Sequence, residues 1–176
     1  MKRYGLLKSS LDAHTLGINA IRGQLEECNQ FVLVGSKELE IALREIENKD
    51  KQKLISNWIS ENKITHLGIS YRLDPKDASN IIRHLIQTIK NNHLFNNDGG
   101  PLKQCFFAGL PESCQLIENE HKELVKCFIG SESAYDTLIQ LGVQKEEIPT
   151  VLIKGSKYDE QLNNISKDLI NSKNYL

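Results

Sequence analysis

Tyr4-Gly5-Leu6-Leu7-Lys8-Ser9-Ser10-Leu11-Asp12-Ala13-His14-Thr15-Leu16-Gly17 is the stretch on which the fold turns. Tyr4 to Lys8 reads as a short buried strand. Ile18, Ile21 and Leu25 then recur at helical spacing, which predicts a first helix ending near Asn29. Between strand and helix lies a polar loop with a carboxylate two residues before an imidazole. A strand passing to a helix through such a loop opens a strand–helix–strand unit.

The alternation continues outward from there. Phe31 to Val34 is a second strand, closed by Gly35-Ser36. Ser36 suits the N-cap of a helix over 37–46, and more helical sequence runs through Leu54, Ile55, Trp58 and Ile59. Leu67 to Ser70 is a third strand. Asp74-Pro75 then starts a helix whose apolar stripe is Ile81, Ile82, Leu85, Ile86 and Ile89. Asn91 to Lys103 reads as a loop, and Gly99-Gly100 as a turn within it, because the pair precedes a strand and does not open a helix. Cys105 to Ala108, a helix from Pro111 to about Glu120, Val125 to Ile129 and a helix from Ser133 to Leu141 capped by Gly142 complete the pattern.

Five strands alternating with helices predict a parallel sheet with right-handed crossovers and helices on both faces. The commonest such arrangement is the flavodoxin-like (Rossmann-like) α/β fold, strand order 2-1-3-4-5. The pattern assigns residues 1–142 to one domain and 143–176 to a C-terminal extension. In that extension Val151 to Ile153 are apolar, and Tyr158, Leu162, Ile165 and Leu169 form a stripe along a terminal helix. The stripe either packs on its own domain or serves as a linker or docking element.

Bulk properties remove several function classes. The 176 residues carry 22 basic and 23 acidic side chains, a formal net charge of −1, so no electrostatic nucleic-acid surface is expected. Aromatic residues make up 6 %, too few for a base-stacking platform. There is no signal-peptide pattern and no apolar run of membrane-spanning length, which predicts a cytoplasmic protein without membrane partners. Cys28, Cys105, Cys114 and Cys127 are scattered, without the grouping of a zinc or iron–sulfur site.

In an open parallel sheet, ligands bind outside the carboxyl ends of the strands. The residues expected there are Ser9, Ser10, Asp12, His14 and Gly17 after the first strand, and Ser70, Tyr71, Arg72 and Leu73 after the third. Ala108, Gly109, Leu110 and Pro111 come after the fourth; Gly130, Ser131, Glu132 and Ser133 come after the fifth. Small residues leave a groove, and hydroxyls with helix N-terminal N–H groups suit phosphate or ribose oxygens. Asp12 can hold one nitrogen of His14 while the other ligates a metal. Arg72 either pairs with a ligand phosphate or forms a salt link to Asp74 or Asp77. His66, His84, His93 and His121 fall outside this rim.

Asp12-x-His14-x-x-Gly17, in this context, resembles the signature of the cobalamin-binding domains of mutases and methionine synthases. The resemblance runs over residues 4 to 142. It implies a cofactor bound with its own base displaced: His14 ligates cobalt from below, Asp12 orients His14, and Lys8 touches the aspartate. Thr15, Leu16 and Gly17 complete the signature loop. It further implies that Ser70 hydrogen-bonds the displaced base, that Ala108-Gly109 lines the path of the nucleotide tail, and that Gly130 and Ser131 form the last wall. There are departures. The family's Ser-x-Leu is here Ser70-Tyr71-Arg72-Leu73, with the leucine one place late, and the first glycine of its pair is Ala108. The crossover between the second and third strands is also long enough for two helices.

The resemblance implies a cofactor-carrying part, not catalytic alone, whose upper corrin face meets a separate catalytic domain or subunit. The chain begins at its first strand, without the helical cap domain of many methyl-transfer proteins, which favours a mutase-like small subunit or an excised domain. Whether the upper ligand is adenosyl or methyl stays open. The alternative is the same fold without cofactor, acting as scaffold or sensor. A flavin or nucleotide binder would give His14 and Asp12 no task, and a response regulator would need acidic residues that are missing.

Overall fold

The computed structural model describes residues 1–12 and 16–172. Its strands are β1 (Arg3–Lys8), β2 (Phe31–Val34), β3 (His66–Tyr71), β4 (Gln104–Gly109) and β5 (Val125–Phe128). All neighbouring pairs are parallel, in the order β2-β1-β3-β4-β5. This is the flavodoxin-like α/β sheet expected from the alternation. β1 and β3 lie inside the sheet and are buried almost along their whole length, whereas the edge strand β2 is short and half exposed.

The helices are α1 (Leu16–Glu27), α2 (Lys37–Arg44), α3 (Lys49–Glu61), α4 (Pro75–Asn91), α5 (Pro111–His121), α6 (Ala134–Gln140) and α7 (Thr150–Ser172). Local chemistry starts several of them. Ser36 accepts from the N–H of Leu39, and Ser133 from that of Asp136. Asp74 accepts from both Lys76 and Asp77, with Pro75 at the first helical position. The long crossover resolves into α2 and α3, as its helical sequence predicts. Between α4 and β4, Gly99 takes φ +91°, and a side chain on Gly100 would collide with the backbone of Leu94, so the pair makes the expected turn.

Several strand ends differ from expectation: β1 starts one residue earlier, and β4 is one residue longer at each end. β3 is one residue longer at each end, because His66 and Tyr71 bury their ring bodies and leave only a polar tip to satisfy. β5 stops at Phe128, and Ile129 is exposed.

The chain divides into two compact units, Met1–Gly130 and Ser131–Leu176. The first holds the sheet and α1 to α5. On one sheet face Leu7, Leu67, Ile69, Tyr71, Cys105, Phe107 and Val125 pack with apolar residues of α2, α3, α4 and α5. Each fully buried Leu or Ile contributes roughly 1.5–3 kcal/mol, so this cluster is the main stabiliser of the fold. α1 packs on β1 and β2, with Ile18, Leu25 and Cys28 buried. In the second unit α6 packs with α7, and Leu138 is wholly buried. The terminal helix includes the Val151 to Ile153 run, and Leu162, Ile165 and Leu169 are exposed. The side chain of Tyr158 lies outside the described residues. No described helix is long and apolar enough to cross a membrane.

Candidate functional site

The carboxyl ends of β1, β3, β4 and β5 form the rim on which the expected site residues fall. In the register, Lys8 stands opposite Ser70, Ser70 opposite Ala108, and Ala108 opposite Phe128. Because strand side chains alternate faces, these residues form one row on one face. Ser70 is buried within it.

Residues 9–12, directly after β1, are held by several hydrogen bonds. The N–H of Asp12 donates to the carbonyl of Ser9 (3.0 Å), and that of Ser10 donates to the carbonyl of Glu40 on α2 (3.2 Å). Lys8 Nζ donates to the main-chain carbonyl of Asp12 at 2.8 Å and lies 3.4 Å from Glu40 Oε1. Lys8 therefore touches Asp12 through the backbone and ties the loop to α2. Glu40 had no signal as a rim residue in the sequence, since its placement depends on α2 starting at the same sheet edge.

Asp12 is fully buried, and its Oδ2 accepts from the main-chain N–H of Arg72 at 3.0 Å. The carboxylate thus joins the first loop to the β3–α4 loop. Tyr71, next to that bond, has its phenol pKa raised by burial first and then by the negative charges of Asp77, Asp74 and Asp12. His14 and Thr15 lie outside the described residues, as does the side chain of Leu16.

Gly17 stands in the first turn of α1, and a side chain added there meets nothing within 4 Å. Among the described residues, neither packing nor backbone conformation requires glycine at this position. The hydroxyl oxygens of Ser10 and Ser113, the latter in the first turn of α5, are buried without a hydrogen-bond partner among the described residues. An uncommitted glycine and two orphaned hydroxyls at one rim fit a ligand seated there.

The remaining candidates divide. Gly109 stands opposite Tyr71, and a Cβ on it would strike the Phe107 ring and come within 2.8 Å of the Tyr71 carbonyl. It faces the Phe107 core, away from the row of Ser70 and Ala108, so core packing already explains this glycine. Leu73 is exposed. Arg72 forms no ion pair with Asp74 or Asp77 among the described residues; its guanidinium lies against Gly130 instead. Ser131 belongs to the second unit.

Other polar features lie away from the rim. His66, at the opposite end of β3, stacks between Tyr4 (4.9 Å between centroids) and Phe106 (6.0 Å), with Thr65 Oγ1 2.7 Å from its Nδ1. Burial, reinforced by Lys2, Lys103 and Lys126, lowers its pKa to about 4, so the imidazole is neutral at physiological pH. An open cavity of about 490 Å³ is lined by residues that include Lys90, His93, Asn96, Lys103 and Glu123, and it contains none of the rim candidates. Cys105 is wholly buried, and burial pushes its thiol up to about 12. No three His, Cys, Asp or Glu side chains cluster to hold a metal among the described residues.

Comparison with protein families, with curated proteins and with solved structures found no match.

Proposed function

We propose that this chain is a cobalamin-binding domain that carries its cofactor with the base displaced and a histidine beneath cobalt. The observation that carries the reading is the position of Asp12, the aspartate of the Asp12-x-His14-x-x-Gly17 sequence: it is buried just after β1, one hydrogen bond from the loop after Ser70. His14 would be the single protein ligand to the cobalt, with Asp12 orienting it. Gly17 lets the corrin approach the start of α1. Ser70 and Ala108 line the slot for the nucleotide tail, and the hydroxyls of Ser10 and Ser113 supply hydrogen bonds at the rim.

The bound cofactor supplies radical or methyl-transfer chemistry. The protein's own work is to hold the corrin, exclude its base and fix the imidazole. A partner domain or subunit covers the upper face and binds the substrate; the exposed apolar residues of α7 support such a partnership.

A scaffold or sensor without cofactor is the second reading. It is favoured by the bond from Arg72 to Asp12, which gives the aspartate a structural role of its own. One experiment separates the two. The full chain is mixed with cob(II)alamin and its paramagnetic resonance recorded with nitrogen-15-labelled histidine. A changed superhyperfine splitting supports histidine ligation. An unchanged splitting, or no complex, leaves the scaffold reading.

A further inference from the structure

Arg72 comes after β3 and Gly130 after β5, with β4 between them. Neighbouring strands stand about 4.8 Å apart, so two steps make roughly 10 Å. The Arg72 side chain covers that distance: a Cβ built on Gly130 would lie 2.6 Å from its Nη2. Gly130 has φ +89° and presents no side chain there, so the guanidinium can settle on the backbone. It therefore crosses the end of β4, just beyond the row of Ser70 and Ala108.

The other end of the residue is fixed as well. Its N–H is bonded to the buried carboxylate of Asp12. The nearest acid in sequence is engaged: Asp74 Oδ1 accepts from the N–H groups of Lys76 and Asp77. An arginine is always cationic, and its planar fork of donors matches phosphate oxygens. Here the arginine is exposed and its main chain is held at the base.

We infer that Arg72 is the anchor for a phosphodiester entering the slot between the ends of β3 and β5. The inference rests on the cobalamin reading, because the tail of that cofactor carries a phosphodiester between the corrin and the displaced base. Arg72 stands where the sequence departs from the family's spacing, so the anchor is a property of this chain. It lends the tail a charge-assisted contact that cobinamide, which lacks the nucleotide, cannot use.

The test titrates the full chain with hydroxocobalamin and with cobinamide, comparing the parent with Arg72→Gln and Arg72→Lys. Arg72→Gln should weaken complete cobalamin by about 10-fold and leave cobinamide within about 2-fold of the parent. Arg72→Lys should recover part of the loss, and added salt should narrow the gap between parent and Arg72→Gln. If Arg72→Gln binds complete cobalamin as tightly as the parent, the anchor is overturned while histidine ligation stands. An equal loss for both corrinoids also overturns it, marking Arg72 as a structural residue. A parent that binds neither corrinoid overturns the cobalamin reading and the anchor with it.

Discussion

The main-chain N–H of Arg72 donates to Oδ2 of Asp12 across 3.0 Å, between residues sixty positions apart in the chain. Asp12 is fully buried, so the acceptor side of this bond is sheltered from water, and the bond ties the residues after β1 to those after β3. Lys8 and Glu40 brace the same loop from α2.

Asp12→Ala should destabilise the protein by about 1–3 kcal/mol, because it removes a buried carboxylate that accepts from the Arg72 N–H. Asp12→Asn keeps an acceptor oxygen and should lose less. Urea unfolding followed by fluorescence of Trp58, the single tryptophan, measures both. A midpoint for Asp12→Ala equal to that of the parent would show that the bond is idle. With cobalamin, Asp12→Asn should still form the complex but weaken it about 10–100-fold, as loss of an outer partner of a metal ligand does.

His14→Ala should keep the fold and abolish the nitrogen ligand from the protein. Paramagnetic resonance of the cob(II)alamin complex reads this directly. A spectrum identical to that of the parent complex would remove His14 from the site.

Gly17→Ala should stabilise the ligand-free protein by about 0.5 kcal/mol, since a methyl group there meets no atom and alanine restricts the unfolded chain. The same change should weaken corrinoid binding by crowding the start of α1. Thermal melting and a spectrophotometric titration of one variant test both halves. Tighter binding by the alanine variant would mean that the corrin does not approach here.

Ala108 and Gly109 should respond differently to enlargement. Gly109→Ala already forces a clash with Phe107 and the Tyr71 carbonyl, so it should destabilise the ligand-free fold by about 1–3 kcal/mol. Ala108→Leu enlarges the face shared with Ser70 and should block complete cobalamin more than cobinamide. Equal effects of Ala108→Leu on the two corrinoids would place the tail elsewhere.

His66 makes stability depend on pH. Its folded pKa is about 4, against an ordinary value of 6.5, so between these limits the unfolded chain binds more protons. Stability from this residue is complete above about pH 6.5 and is lost as pH falls towards 4. Urea midpoints at pH 7 and pH 5 should therefore differ, and His66→Phe should reduce that difference. An unchanged slope in the variant would assign the acid sensitivity to other groups.

Much of the fold was legible along the chain because its signals are local. Ser36, Asp74-Pro75 and Ser133 announce helix starts through bonds to N–H groups only two or three residues away. The stripe from Ile81 to Ile89 needs only helical spacing to declare its buried face. Strands separated by helices then admit few topologies, since crossovers between parallel strands are right-handed. Which residues follow β3 and β4 was legible in the same way.

The contacts within the rim were not. Lys8 reaches the Asp12 carbonyl and Glu40, and Arg72 meets Gly130 in preference to its sequence neighbours Asp74 and Asp77. These pairings join residues from different strands and helices, and no spacing rule spans them. Gly109 illustrates the limit most simply. As part of Ala108-Gly109 it reads as a slot-lining glycine, yet the register turns it towards Phe107 and leaves Ala108 beside Ser70. The sequence by itself determined the alternation of elements and the chemistry available at their ends. Only the tertiary structure decided which groups face one another, because burial, register and reach depend on chain segments that are distant in sequence and adjacent in space.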